Sequence, residues 1–273
     1  MAEPITTDEY LKATLTRLEH AYHAMSSTFG PPAVKQITTR HISGIAFRYR
    51  QESDSLLCFL KGVKLISTLN GALVLLSQGY VQEIRALIRI ADDCCADILF
   101  MSRPMNGDEP SADQSRFFEE FYQEEFDDPK YPLGSNKKRD VVPRKSVFTG
   151  FAQLAGEHLN PSDAQSVMTT IHKAFSRYIH GAYPHIMELY GGRPSRLHFH
   201  MSGMSNTSKV AEARAQLIAE IYRAIMASEL VSRKLGLEAE RKSVRELLTE
   251  YETRLGVKPT RSPGAAIREV KKK

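Results

Sequence analysis

Tryptophan is absent from this 273-residue chain, and cysteine occurs only three times, as Cys58, Cys94 and Cys95. The count is odd and no Cys-x-x-Cys spacing occurs. Neighbouring side chains on a helix point about 100° apart, so Cys94 and Cys95 neither bridge each other nor share a metal. This usage excludes a disulfide scaffold and argues for reduced thiols in a cytoplasmic protein. Long apolar runs are also missing. The richest stretch, Leu69 to Leu76, is interrupted by Asn70 and Gly71 and ends at Ser77 and Gln78, too short for a bilayer span. The first nine residues are acidic and lack the apolar core of a signal peptide. There is no glycine-rich phosphate loop, no His-Glu-x-x-His and no strand–turn–helix around a nucleophilic serine, which excludes the motif-defined NTPases, zinc proteases and α/β-hydrolases. Neither sign of charge dominates. Lys and Arg total 37 against 32 Asp and Glu, a net +5, which permits nucleic-acid contact without requiring it.

What is present is helical periodicity. Hydrophobic residues make up 42% of the chain, enough for a sizeable core. Thr7 or Asp8 caps a first helix in which Leu11, Leu15, Leu18, Tyr22 and Met25 recur at three and four, ending at Gly30-Pro-Pro. Residues 33–50 read either as a helix end or as a short extended piece. Helical text resumes over 53–78, with Leu56, Leu57, Leu60, Val63, Lys64 and Val74 along its seam, and again over 80–102 after a turn at Gly79. A helix with an aromatic face is expected from Asp113 to Phe126, then a loop carrying Lys137-Lys-Arg139. Further helices are expected over 144–158 and 161–183, the second stopped by Pro184. Arg196 to Met201 alternates like a strand. The longest helical text, 207–255, is divided at Gly236. The reading is an all-α antiparallel helical bundle with a long C-terminal helix or helical hairpin, a single domain over 1–257, followed by a flexible basic tail over 258–273.

Two helices carry polar groups that suit chemistry. On the 80–102 helix, Arg85, Arg89, Asp92 and Asp93 gather opposite the apolar face, and Arg89 and Asp93 stand one turn apart. The plainer reading, a solvent-facing ion pair, is preferred to a cleft-facing cluster. On the 161–183 helix, Val167, Met168, Ile171, Phe175 and Tyr178 form the packing face, while Arg177 and His180 lie on the polar side, with Ser176 one turn before His180. A histidine titrating near neutrality serves as a general base, and an arginine stabilises an anionic transition state. That pair suits attack of an RNA 2′-hydroxyl on its adjacent phosphate. The plainer reading is again a surface histidine. Asp93 and Asp97, or His198 and His200 with His185, have part of a metal-ligand spacing but lack a complete set. Neither a metal nor a cofactor is expected.

The segments Arg85-x-x-x-Arg89-x-x-x-Asp93, Phe117-Phe-Glu-Glu-Phe-Tyr and Phe175-Ser-Arg-Tyr-Ile-His180-Gly resemble the HEPN-like helical superfamily, in a bacterial branch, over residues 55–190. The resemblance implies a helical bundle, often dimeric. It also implies either an interaction or regulatory role, or metal-independent endoribonuclease activity in toxin–antitoxin or phage-defence systems. The catalytic residues carried over are His180 and Arg177, with Arg89 and Asp93 as companions. The family's Arg-to-His spacing is longer than the three positions between Arg177 and His180. The resulting expectation is an interaction or regulatory protein, homodimeric, with an RNA or protein partner and no membrane contact; the alternative is the endoribonuclease. The long C-terminal stripe and the aromatic helix supply the apolar surface for a dimer.

Overall fold

The computed structural model describes residues 7–38, 43–102, 109–124, 134, 141–154 and 160–256. The basic run 137–139 and the tail 258–273 lie outside them. Among the described residues nine α-helices form a largely antiparallel bundle, with two small hairpins attached.

Helix α1 (Asp8–Ser26) starts where the Thr7 hydroxyl accepts from the Tyr10 amide, and Asp8 and Glu9 complement its dipole. Its leucine stripe is fully buried. The ambiguous stretch that follows is extended: β1 (Ala33–Thr38) pairs antiparallel with β2 (Ser43–Arg48), Val34 opposite Phe47. Helix α2 (Asp54–Ser77) is capped by Ser53, whose hydroxyl accepts from the Leu56 amide. It runs through Gly71 without a break. By length and composition it is apolar enough to cross a membrane, yet Leu57, Leu65, Leu69 and Leu76 are core residues here, and it packs against α1, α3 and α8. Val63 and Val74 are exposed, so the expected seam is off by one edge. Gly62 lets α1 approach: a methyl there would sit 2.1 Å from the Tyr22 hydroxyl.

The turn at Gln78–Tyr80 leads into α3 (Val81–Met101). Gly79 is left-handed (φ +75°), and a Cβ on it would meet the Ser205 amide nitrogen at 2.5 Å. Its carbonyl accepts from the Met204 amide at 2.7 Å, tying this turn to the entry of α8. Helix α3 is the centre of the molecule, flanked by α2, α8, α6 and α5. Helix α4 (Ala112–Tyr122) begins with a full Ser111–Gln114 capping box and covers α2 with its phenylalanines. It ends at Tyr122, four residues before the expected Phe126. Glu124 is instead drawn to Arg48 and Lys35 of the hairpin at 2.9 and 2.8 Å.

Helices α5 (Arg144–Leu154) and α6 (Pro161–Ile179) lie side by side on α3. Helix α6 stops at Ile179, not at Tyr183. Gly181 takes φ +57° and the Ala182 amide donates back to the Arg177 carbonyl, a glycine-led stop that acts before Pro184 can. Pro184 instead sits in the first turn of the short α7 (Tyr183–Met187). A second hairpin, β3 (Tyr190–Arg193) with β4 (Arg196–Phe199), precedes α8 (Ser208–Lys234) and α9 (Glu238–Leu255), parted at Gly236 as expected. Helix α9 returns along α8 and against α1, where Tyr10 stacks on Tyr251, Arg254 covers Tyr10, and Arg17 pairs with Glu250 at 2.7 Å.

Candidate functional site

Because α3 is covered on nearly every side, its polar stripe is largely buried, with Asp93 about a third exposed at the edge. Arg85 is 3% exposed, Arg89 6% and Asp92 1%. The preferred expectation of a solvent-facing Arg89–Asp93 pair is therefore corrected. The wheel separated polar from apolar positions well, but it could not show that α5, α6 and α8 dock onto the polar side.

Three charged groups result. The first lies toward α7 and α8. Arg85 donates to Glu188 at 2.5 Å, the Tyr178 hydroxyl at 3.0 Å and Gln216 at 3.0 Å, and pairs with Glu212 at 3.3 Å. Burial pushes the Tyr178 hydroxyl up to about 12.

The second lies against α8. Arg223 pairs with Asp92 and, at 3.1 Å, with Glu220; the Cys95 thiol donates to the other Glu220 oxygen at 3.6 Å. Two buried carboxylates share one guanidinium. Burial, reinforced by Asp92, raises the Glu220 carboxyl to about 7.

The third faces α5 and α6. Asp93 pairs with Arg89 on its own helix and with Arg144 at the start of α5. Arg144 also reaches Asp97 at 2.5 Å, and Lys61 of α2 holds the other Asp97 oxygen at 2.7 Å. Arg89 is shared further: one Nη donates to Nε2 of His172 at 2.8 Å and its Nε to the Ser176 hydroxyl at 3.3 Å. Accepting at Nε2 leaves the His172 proton on Nδ1, 3.7 Å from Asp93. Burial first, and Arg89 second, lower the His172 pKa, so the ring is neutral at pH 7.

Of the four sequence candidates, Arg89 and Asp93 thus meet; both reach His172, and Arg89 also reaches Ser176. Arg177 is exposed and lines a groove between α5 and α6. His180 is exposed at the C-terminal cap of α6; among the described residues its side chain has no hydrogen bond or ion pair, and Ser176 points to Arg89 instead. The expected packing face of α6 also needs adjustment, since Met168 is buried but Val167 is 56% exposed. Sequence reading missed His172, Lys173, Arg144 and Lys145. A signal for the first two existed. Thr169, His172, Lys173, Ser176 and Arg177 recur at three and four along α6, a polar stripe with the period of the helix.

The groove has a volume of about 750 Å³, within the usual range of ligand sites. Arg144, Lys145, Lys173 and Arg177 line it together with Ser162, Ser166, Thr169, Thr170 and Ser176, and no carboxylate does among the described residues. His172 and Phe148 meet edge to face at its floor, 5.2 Å between ring centres. Arg144 is committed to Asp93 and Asp97, whereas Lys145, Lys173 and Arg177 have no ion-pair partner among the described residues. Such a surface suits a polyanion. Asp92, Asp93 and His172 also bring potential ligand atoms within 4.8 Å of one another. Arg89, Arg144 and Arg223 already occupy those carboxylates, so a cation would face three guanidinium groups. No family model matches the chain, nor does any curated protein or solved structure.

Proposed function

We propose that this chain is a HEPN-like helical interaction protein whose α5–α6 groove binds the phosphate backbone of single-stranded RNA. The observation that carries this reading is the row of cations Lys145, Lys173 and Arg177, which among the described residues have no ion-pair partner and share a hydroxyl-lined groove with no carboxylate. Fluorescence anisotropy with a labelled single-stranded RNA at several salt concentrations tests it. Exchanging both Lys173 and Arg177 for Glu should weaken binding and reduce the salt slope by about 1.4, the value for two lost single-strand phosphate contacts. Equal binding by wild type and the double variant rejects the groove as the site.

One observation favours a second reading, a metal-independent endoribonuclease of a defence system. His172 is neutral at pH 7 and borders the groove that would hold the RNA. In that reading His172 takes the 2′-hydroxyl proton and Arg177 offsets the phosphate charge. Its accepting nitrogen is engaged by Arg89, which places binding ahead of cleavage. Gel assays without divalent metal separate the cases: cleavage lost in H172A but kept in H180A supports His172, and the reverse supports the Arg177–His180 pair.

A homodimer is retained in the proposal on different surfaces. The stripe of α8 (Ala213, Leu217, Ile221, Ile225, Leu230) and Phe117 of α4 are buried within the chain. Exposed apolar side chains lie on the hairpins instead, with Val34, Ile45 and Phe47 on one and Tyr190, Leu197 and Phe199 on the other. Sedimentation equilibrium at micromolar concentration checks this, and a mass of 30.7 kDa counts against it.

A further inference from the structure

A second cavity, of about 450 Å³, opens between α2, α3 and α4 on the other side of Arg144. Arg144 is the one residue that lines both it and the phosphate groove. The two spaces differ in chemistry. The second sets apolar walls, among them Leu60, Ile90, Phe117 and Phe121, beside the carboxylates of Asp93, Asp97 and Glu120. The Lys61 ammonium lies 5.6 and 5.4 Å from the centres of the two phenylalanine rings and is fixed by Asp97. Asp97 is 2% exposed and holds Arg144 from the same carboxylate. A buried carboxylate carrying two cations is a weak device for stability, since apolar packing does as well. What it achieves here is position: it pins Arg144 at the junction of a cavity with aromatic walls and charged edges and a cationic groove.

We propose that this cavity is a base-binding pocket: a nucleobase of the RNA enters between α2 and α4, while its phosphates lie in the α5–α6 groove and pass Arg144. The inference rests on the groove reading above and adds to it a class of recognition, a planar ring seated on aromatic and aliphatic walls. Phosphate contacts position a chain, whereas stacking of a ring on aromatic side chains adds affinity that a bare backbone lacks.

The test compares two labelled probes, a short single-stranded oligoadenylate and an abasic ribose-phosphate strand of equal length. Wild type should bind the oligoadenylate about tenfold more tightly than the abasic strand, the lower range of one stacked base. Phe121→Ala should erase that difference while leaving abasic binding unchanged. Leu60→Phe, which narrows the cavity and removes no wall, should do the same, so an unfolded F121A protein does not end the test. Equal affinity of wild type for both probes overturns the pocket and leaves the groove intact. So does an unchanged ratio in whichever of the two variants has the wild-type circular dichroism spectrum. Failure of both probes to bind wild type removes the groove reading and this one with it. Loss of both probes in the Lys173/Arg177 double Glu variant, with a lost ratio only in F121A, establishes the two parts separately.

Discussion

The two sides of α3 solve the same problem differently. Toward α8, Asp92 and Glu220 are sealed beneath Arg223, whose side chain keeps a fifth of its surface in solvent. Toward α5 and α6, Arg89, Asp93, Arg144 and His172 are equally well paired, but they end at a groove. In the sealed cluster one guanidinium serves two carboxylates, and burial, with Asp92 adding to it, raises the Glu220 carboxyl to about 7, so that a proton makes up the difference. In the open cluster cations outnumber carboxylates once Lys61 is counted, and the surplus continues outward into Lys145, Lys173 and Arg177. Buried charge alone therefore does not mark a site. The distinguishing feature is whether the pairing leaves an excess that a ligand can complete.

The comparison breaks most visibly at Arg223. Arg223→Met leaves Asp92 and Glu220 buried without their shared partner and should cost roughly 3–5 kcal/mol, the usual penalty for breaking a buried pair, read from urea unfolding. Arg89→Ala should cost less, about 2 kcal/mol, because Arg144 still holds Asp93. A loss of only a few tenths would mean that the cluster behaves as an exposed pair.

Acid–base behaviour sharpens the contrast. The folded Glu220 carboxyl sits above its unfolded value of 4.5, so its contribution is fully present below that value and is lost as pH rises toward 7. His172 is lowered below 6.5, so its contribution is present above 6.5 and is lost as pH falls through its folded value. The sealed side thus weakens as pH rises and the open side as pH falls. E220Q should flatten the decline between about 4.5 and 7, and H172A should remove the acid-side loss; unchanged stability–pH curves for both variants would contradict the assignment. The smallest effect is expected at His180, where H180A should stay within about 0.5 kcal/mol of wild type because the ring is exposed.

Much of the bundle was legible because periodic leucines and caps act locally. Thr7, Ser53 and the Pro161 start all work as the residue types dictate. The stop at Gly181 and the early end of α4 were not legible. One depends on a left-handed glycine outcompeting a proline three residues on, the other on Glu124 finding cations on a hairpin far away in sequence. The site was half legible for the same reason. Arg89 and Asp93 lie one turn apart on a single helix. Their contacts to His172, Ser176 and Arg144 cross between helices, and no spacing along the chain encodes that docking. His180 drew attention through its neighbours in sequence, whereas His172, two turns earlier, is the histidine that faces α3.

The lap of α1 on α9 joins Tyr10 to Tyr251 and Arg17 to Glu250, so the described chain closes on itself like a belt, its first and last helices forming the buckle. Closing so long a loop costs little more than closing a shorter one, about 0.6 kcal/mol per doubling of length. The buckle therefore need not form early for the belt to hold. Helices α1 and α9 pack on α2 and α8, whereas α5 and α6 pack on α3, so fraying of α1 and α9, as one unit, would leave the charged clusters of α3 covered. The same adjacency makes the exposed Arg17 and Glu250 natural places to attach a reporter pair whose separation registers loss of the belt before loss of its contents.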